Sequence, residues 1–304
     1  MAASVPLTLT PGLDVAGRYR LQVPLGRGGG GAVWQATHLQ SGRAVALKIV
    51  VPQAGASEDL LARLRREAKA AALLDHPNIV EVLDLGAIGD DAIYLAMELI
   101  RGESLAALLA RGRLQPRCAL LYSRQILEAL AHVHAHGMIH RDLKPANIMV
   151  VRVGDVGNEW EQIKLVDFGL VKLIGQTLVE LGGEKLTRTG FTFGTPAYMA
   201  PEQALGQAVD ARTDLYALAA MLFELLTGAP LFEGPDTHTL LSHHIASPAP
   251  TLSERVPAGT PWVTPALEAL VAGALRKSPA ERFPDAAAML TALDIAFVSL
   301  DGLA

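Results

Sequence analysis

An α+β chain in two parts, a small β-rich one followed by a larger, mainly helical one, is the fold class this sequence predicts. Up to Glu98 the apolar residues come in short runs broken by glycine turns, the pattern of strands. Beyond Gly102 they return at helical spacing in longer segments. With 304 residues, half of them apolar and 19% charged, the chain can fill a substantial core in two domains or one large two-part domain.

The elements follow in order. Residues 1–16 hold Pro, Gly and Thr without periodicity and are expected to be a flexible leader. Arg20 to Leu25 alternates, Gly28 to Gly31 turns the chain, and Ala32 to Thr37 resumes as a strand. Ser41 and Gly42 make a second turn before a third strand from Ala44 to Val50, which completes an antiparallel meander. Ser57 opens a helix with Glu58 and Asp59 in its first turn, where carboxylates suit the helix dipole. Leu60, Leu64, Glu67 and Ala71 share one face of that helix, so Glu67 points inward and needs a cationic partner. Val80–Leu85 and Ile93–Glu98 read as two more strands. Helices are expected at Leu105–Ala110, Cys118–His136, Asp214–Leu226, Pro265–Leu275 and Ala286–Phe297.

Several function classes are disfavoured by composition. A net charge of -5 and a pI near 6.0 give no electrostatic reason to expect nucleic acid. The single cysteine, Cys118, rules out an internal disulfide, fits a reducing compartment, and is expected to be a buried or half-buried helix residue. The start lacks the features of a secretory signal, and the most apolar segment, Leu215 to Leu226, carries Glu224 and follows Asp214. It reads as a buried core helix, not a membrane segment, so a cytoplasmic location is expected. His132, His134, His136 and His140 fall within nine residues. His132 and His136 have a spacing that puts two ligands on one helix face, but no Cys or carboxylate completes a metal set. A helix end with ordinary solvated histidines is expected there.

Chemistry concentrates in a few ordered segments. His140-Arg141-Asp142-Leu143-Lys144-Pro145-Ala146-Asn147 is followed by Asp167-Phe168-Gly169, and then by Gly194-Thr195-Pro196-Ala197-Tyr198-Met199-Ala200-Pro201-Glu202. Upstream stand Gly26-x-Gly28-x-x-Gly31-x-Val33 and Val45-Ala46-Leu47-Lys48. Each alone is weak, since a glycine run is usually a linker and a strand often ends in a solvated lysine. Together, in this order, they resemble the Gly-rich loop, strand-3 lysine, catalytic loop, metal-binding triplet and Ala-Pro-Glu segment of protein kinases. The style, including Asp75-His76-Pro77-Asn78-Ile79-Val80, is similar to the eukaryotic-like serine/threonine kinases of bacteria. The resemblance runs from about Tyr19 to about Phe297.

That resemblance implies a bilobal fold: an N-lobe over 17–98 with one main helix, a C-lobe over 99–298, and a tail at 299–304. It implies ATP and Mg²⁺, with Mn²⁺ as a substitute ion. Gly26, Gly28 and Gly31 would let backbone amides approach the phosphates; Gly29 and Gly30 at the tip are surplus. Val33 and Ala46 would line the nucleotide site, and Met97 stands at the gatekeeper place, with Glu98 to Ile100 as the adenine-binding hinge. Lys48, held by Glu67, would contact phosphates, while Asp167 and Asn147 would ligate the metal. Asp142 would receive or orient the substrate hydroxyl proton, and Lys144 would neutralise charge on the transferring group. Lys144 followed by Pro145-Ala146-Asn147 points to Ser/Thr acceptors on proteins. Glu202 is expected to pair with Arg282, and Asp214 to brace the catalytic loop.

Arg141 before Asp142 marks kinases whose activation segment, here 167–202, is ordered by phosphorylation. Thr187 and Thr189 are the expected autophosphorylation sites, with Thr192 in reserve. The stretch from Val153 to Trp160 lengthens a hairpin and reads as a surface extension, with docking as the alternative. Input through a partner, a leader contact or N-lobe homodimerisation for trans-autophosphorylation stays open. Two other readings remain: a pseudokinase scaffold, which should lack one of Lys48, Asp142, Asn147 or Asp167, and a small-molecule kinase, which should lack the Gly194–Glu202 segment. All of these are present.

Overall fold

The computed structural model describes residues 8–28, 31–51, 72–89, 92–155, 157–167 and 196–301. The helix expected from Ser57, with Glu67, lies outside the described residues, as do Gly29, Gly30, Thr187, Thr189 and Thr192. The chain divides into two compact units. One takes in residues up to 75 and 80–100; the other takes in 76–79 and the described residues from 101 onward.

The first unit is a six-stranded antiparallel sheet. Its strands are β1 (Asp14–Val15), β2 (Tyr19–Gly28), β3 (Gly31–His38), β4 (Ala44–Val50), β5 (Val82–Ile88) and β6 (Ala92–Glu98). Their spatial order is β1-β2-β3-β4-β6-β5. Alternation explains its core. Trp34 and Ala36 from β3, Val45, Leu47 and Ile49 from β4, and Tyr94 and Ala96 from β6 all turn to one interior. The sheet curls, so that Asp84 on β5 accepts hydrogen bonds of 2.9 Å both from Tyr94 on the neighbouring β6 and from Tyr19 on the distant β2. Arg18 adds an ion pair to Asp84 at 2.8 Å. In the stretch expected as leader, Asp14 and Val15 pair with Arg20 and Tyr19, and Val15 is buried. Leu9 and Leu13 pack on the same core. A two-residue strand is too short for a sequence period to reveal.

The second unit is mainly helical. It holds α1 (Leu105–Leu109), α2 (Pro116–Ala135), α3 (Pro201–Ala204), α4 (Ala211–Thr227), α5 (Thr237–Ala246), α6 (Pro265–Ala274) and α7 (Ala286–Asp301). A three-stranded antiparallel sheet orders β7 (Glu103–Ser104), β8 (Ile148–Val153) and β9 (Trp160–Leu165). Helix α4 is capped by the Asp210 side chain and is buried nearly all round, as an apolar helix without a polar face should be. Pro116 at the first turn of α2 and Pro265 at that of α6 start helices where no amide donor is needed. Among the described residues no helix is long and apolar enough to cross a membrane.

Candidate active site

The period of two that buries Val45, Leu47 and Ile49 turns Ala46 and Lys48 to the opposite face of the sheet. Strand register supplies their neighbours there. Val33 stands opposite Lys48, Ala46 opposite Met97, and Lys48 opposite Leu95. Four residues expected from the sequence, Val33, Ala46, Lys48 and Met97, therefore share one surface. Lys48 is only 3% exposed, a burial that an ammonium tolerates only with anionic company. At the end of β6 the Glu98 amide donates to the Glu81 carbonyl at 3.0 Å, and the Glu98 carboxylate accepts from the Glu81 amide at 3.0 Å. Glu98 is thus fixed at the strand end, and Ile100, two residues on, is half-buried.

The glycines differ in their reasons. At Gly31 an added Cβ would stand 2.1 Å from the Ile49 carbonyl oxygen, and φ is +123°. That position is glycine for the sheet's own packing. At Gly26, chain neighbours aside, no atom of the described residues lies within 4 Å of the Cβ position. A side chain at Gly26 would therefore meet none of the described residues, and its packing does not require glycine.

In the helical unit Lys144 Nζ donates to Asp142 Oδ2 at 2.8 Å, and Asn147 Nδ2 reaches the same oxygen at 3.2 Å. Asn147 Nδ2 also donates to the Asp142 carbonyl at 2.8 Å. Antiparallel pairing of β8 and β9 begins at Ile148 with Leu165, which sets Asn147 and Asp167 at the same end of one hairpin. The Val166 amide closes that end by donating to the Asn147 carbonyl at 2.9 Å. Arg141 and Asp167 have φ of +64° and +63°, a left-handed backbone uncommon outside glycine and found where a site over-determines it.

Two supports hold this loop. Asp214, 1% exposed on α4, accepts from the backbone amides of His140 and Arg141, both at 2.8 Å. The brace expected from Asp214 is present. His134 Nε2 meets the same carboxylate at 2.8 Å. Farther along, Arg282 forks onto Glu202 at 2.8 and 2.7 Å, and Thr213 donates to Glu202 at 2.7 Å. Burial would raise the Glu202 pKa; the Arg282 hydrogen bonds and charge outweigh it and hold the carboxyl below its usual value.

Of the helix-end histidines only His136 is exposed as the solvated reading expects, while His132 and His134 are half-buried and His140 belongs to the catalytic loop. His140 is fully buried with its Nδ1 toward the Asp142 amide at 3.3 Å, and His134 is bound to Asp214. No group of three or more His, Cys, Asp or Glu able to hold a metal occurs among the described residues. Cys118 lies half-buried on α2, as expected. Trp160 is 57% exposed at the lengthened hairpin.

The set fits a metal-nucleotide. Both hydrogen bonds of the Asn147 amide use Nδ2, which leaves its carbonyl oxygen to offer a hard cation, and Asp167 stands at the same end of the hairpin. Two protein oxygens do not enclose Mg²⁺, which suits an ion completed by phosphate oxygens and water.

The model of the protein kinase domain matches residues 19–292. The chain belongs to the protein kinase family. It is 40% identical over 272 residues to serine/threonine-protein kinase pkn3 of Myxococcus xanthus, covering 89% of this chain and 48% of that one. With PknD of Mycobacterium tuberculosis the identity is 39% over 288 residues, covering 94% of this chain and 40% of the relative. This kinase chain therefore spans about half the length, or less, of these curated relatives. The crystal structure of the Mycobacterium tuberculosis PknI kinase domain is similar at a TM-score of 0.70 and 28% identity, covering 95% of this chain and all of that one.

Some contributors were not foreseen. Asn78 donates to Gln125 at 2.8 Å and to the Ile163 carbonyl at 2.9 Å, and its own carbonyl accepts from Leu165 at 2.8 Å. It anchors the strand that leads to Asp167. A polar residue inside the apolar run from Pro77 to Val80 was the available signal. Gln203 is the other: its place three residues after Ala200 suits a helix cap, and nothing in the local sequence marks its distant partner, the Arg141 carbonyl.

Proposed function

We propose that this chain transfers the γ-phosphate of ATP to Ser or Thr hydroxyls of protein substrates, with Mg²⁺, or Mn²⁺ in its place, at Asp167 and Asn147. The observation that carries this is the convergence of Lys144 and Asn147 on one oxygen of Asp142, at 2.8 and 3.2 Å. A carboxylate held this way is oriented to take a hydrogen bond from an acceptor hydroxyl, and the adjacent ammonium offsets charge on a transferring phosphoryl group. Bound ATP and its metal supply the phosphoryl group and the cation that disperses its charge. Lys48, with Glu67, binds the α- and β-phosphates, and Gly26, Gly28 and Gly31 bring backbone amides to them. Val33, Ala46 and Met97 line the base, which the Glu98 to Ile100 backbone recognises. Residues 17–98 serve as the nucleotide-side lobe and 99–298 as the substrate-side lobe.

Autophosphorylation at Thr187 and Thr189, with Thr192 in reserve, supplies a phosphate for Arg141. Homodimerisation through the N-lobe is the route proposed for transfer in trans.

Incubation with γ-labelled ATP, Mg²⁺ and a general protein acceptor tests the reading. Acid-stable label on Ser or Thr, absent with Asp142→Asn, is the expected result, with peptide mass spectrometry locating phosphate at Thr187 or Thr189. Nucleotide binding without label on any protein would favour a scaffold.

A further inference from the structure

The left-handed peptide at Arg141 is gripped from both sides. On its amide side Asp214 Oδ1 accepts at 2.8 Å. On its carbonyl side Gln203 Nε2 donates to the Arg141 oxygen at 2.9 Å, across 62 residues of sequence. The other end of the same side chain is also engaged, since Gln203 Oε1 accepts from the Ala200 amide at 3.3 Å. This second bond is half of a capping box, in which the third helical residue reaches back to the N-cap amide of α3. The two bonds together fix the amide's orientation, because a flipped group would set oxygen against oxygen at Arg141 and N–H against N–H at Ala200.

Resting on the proposed kinase reading, we infer that Gln203 is a positioning residue for Asp142. Its donated hydrogen bond holds the Arg141 carbonyl, and so the plane of the Arg141–Asp142 peptide, in the orientation from which the Asp142 carboxylate meets Lys144 and Asn147. The Arg141 backbone lies in a region that a side-chain-bearing residue leaves unless its neighbours hold it. Asp214 supplies one such restraint from the core of α4, and Gln203 the other from the segment after Pro196. Seating of that segment and setting of Asp142 are therefore one event: a displaced α3 withdraws the donor from the catalytic loop.

The two bonds of Gln203 can be separated chemically. Gln203→Glu keeps an acceptor for the Ala200 amide but, when ionised, presents an anion to the Arg141 carbonyl. Gln203→Leu removes both bonds. Both variants should lose at least tenfold in kcat while KM for ATP stays within twofold and thermal melts show a folded protein. The kcat of Gln203→Glu relative to wild type should rise as pH is lowered from 8 towards 5.5, because the protonated carboxyl becomes a donor again.

A Gln203→Glu protein with wild-type kcat beside an impaired Gln203→Leu would overturn the inference and leave only the cap. So would a loss that tracks the folded fraction, or a ratio that does not change with pH. If the wild-type chain shows no turnover, the kinase reading fails, and hydrogen exchange over residues 140–147 decides the positioning role separately. Faster exchange there in both variants upholds it; unchanged exchange defeats it.

Discussion

Gly31 and Gly26 stand five positions apart in one glycine-rich stretch, yet they answer to different physics. An alanine at Gly31 would drive a Cβ into the Ile49 carbonyl at 2.1 Å from a φ of +123°. Gly31→Ala should therefore destabilise the ligand-free protein by about 1–3 kcal/mol, read as a lowered Tm. Gly26→Ala, with no atom of the described residues beyond its chain neighbours within 4 Å, should leave that Tm unchanged and raise the Kd for Mg-ATP. The opposite pattern would mean that the two glycines have been assigned the wrong way round. His244 is a titratable side chain set in the core of the helical unit. It is fully buried on α5, with Nδ1 3.0 Å from the Tyr216 hydroxyl. Burial first, and then the Lys277 charge, push its pKa from 6.5 down to about 4. The unfolded chain binds this proton near pH 6.5 and the folded chain only near pH 4, so its stabilisation is complete above 6.5 and is lost as pH falls towards 4. The loss amounts to about 3 kcal/mol. His244→Phe should flatten the dependence of unfolding free energy on pH across that window; an unchanged slope in urea melts would refute the assignment.

At the scale of elements, the buried fork between Glu202 and Arg282 ties α3 to the turn before α7, with Thr213 from α4 as third member. Arg282→Met leaves a buried carboxylate without its cation and should cost about 3–5 kcal/mol. Denaturant melts of Arg282→Met and Glu202→Gln, singly and together, measure this. The double variant should recover part of the loss, and strict additivity would contradict a direct pair. Glu202 has its pKa lowered in the fold, so the pair stabilises above the unfolded carboxyl pKa and weakens as pH falls through the folded value. The same elements show what the sequence makes legible. Strands β2 to β4 and β6, and helices α2, α4, α6 and α7, announce themselves by period, cap and proline, and their ends shift by only a few residues. Helix α5 was not foreseen, because Thr237, His238, Ser242, His243 and His244 blur the apolar stripe, and its buried histidine meets both the Tyr216 hydroxyl and the edge of the Phe232 ring. Asp142, Lys144 and Asn147 were legible as a motif. Gln203 and Asn78 were not, because their value lies in distant backbone carbonyls, Arg141 and Ile163, that no local pattern exposes.

At the scale of the whole molecule, one chain carries two surfaces of different character. A curled sheet aligns Val33, Ala46, Lys48 and Met97 by strand register, and a helical unit joins Asp142, Lys144 and Asn147 in a loop whose preceding amides are held by the buried Asp214. In the proposed reaction Asp142 performs the acceptor-side step of phosphoryl transfer, while nucleotide binding resides elsewhere. Rapid-quench single-turnover transfer from saturating Mg-ATP to a protein acceptor, comparing wild type with Asp142→Asn, tests this most directly. Asp142→Asn should bind Mg-ATP with a Kd within a few-fold of wild type and transfer phosphate at least about 100-fold more slowly. Transfer at the wild-type rate by Asp142→Asn would contradict it.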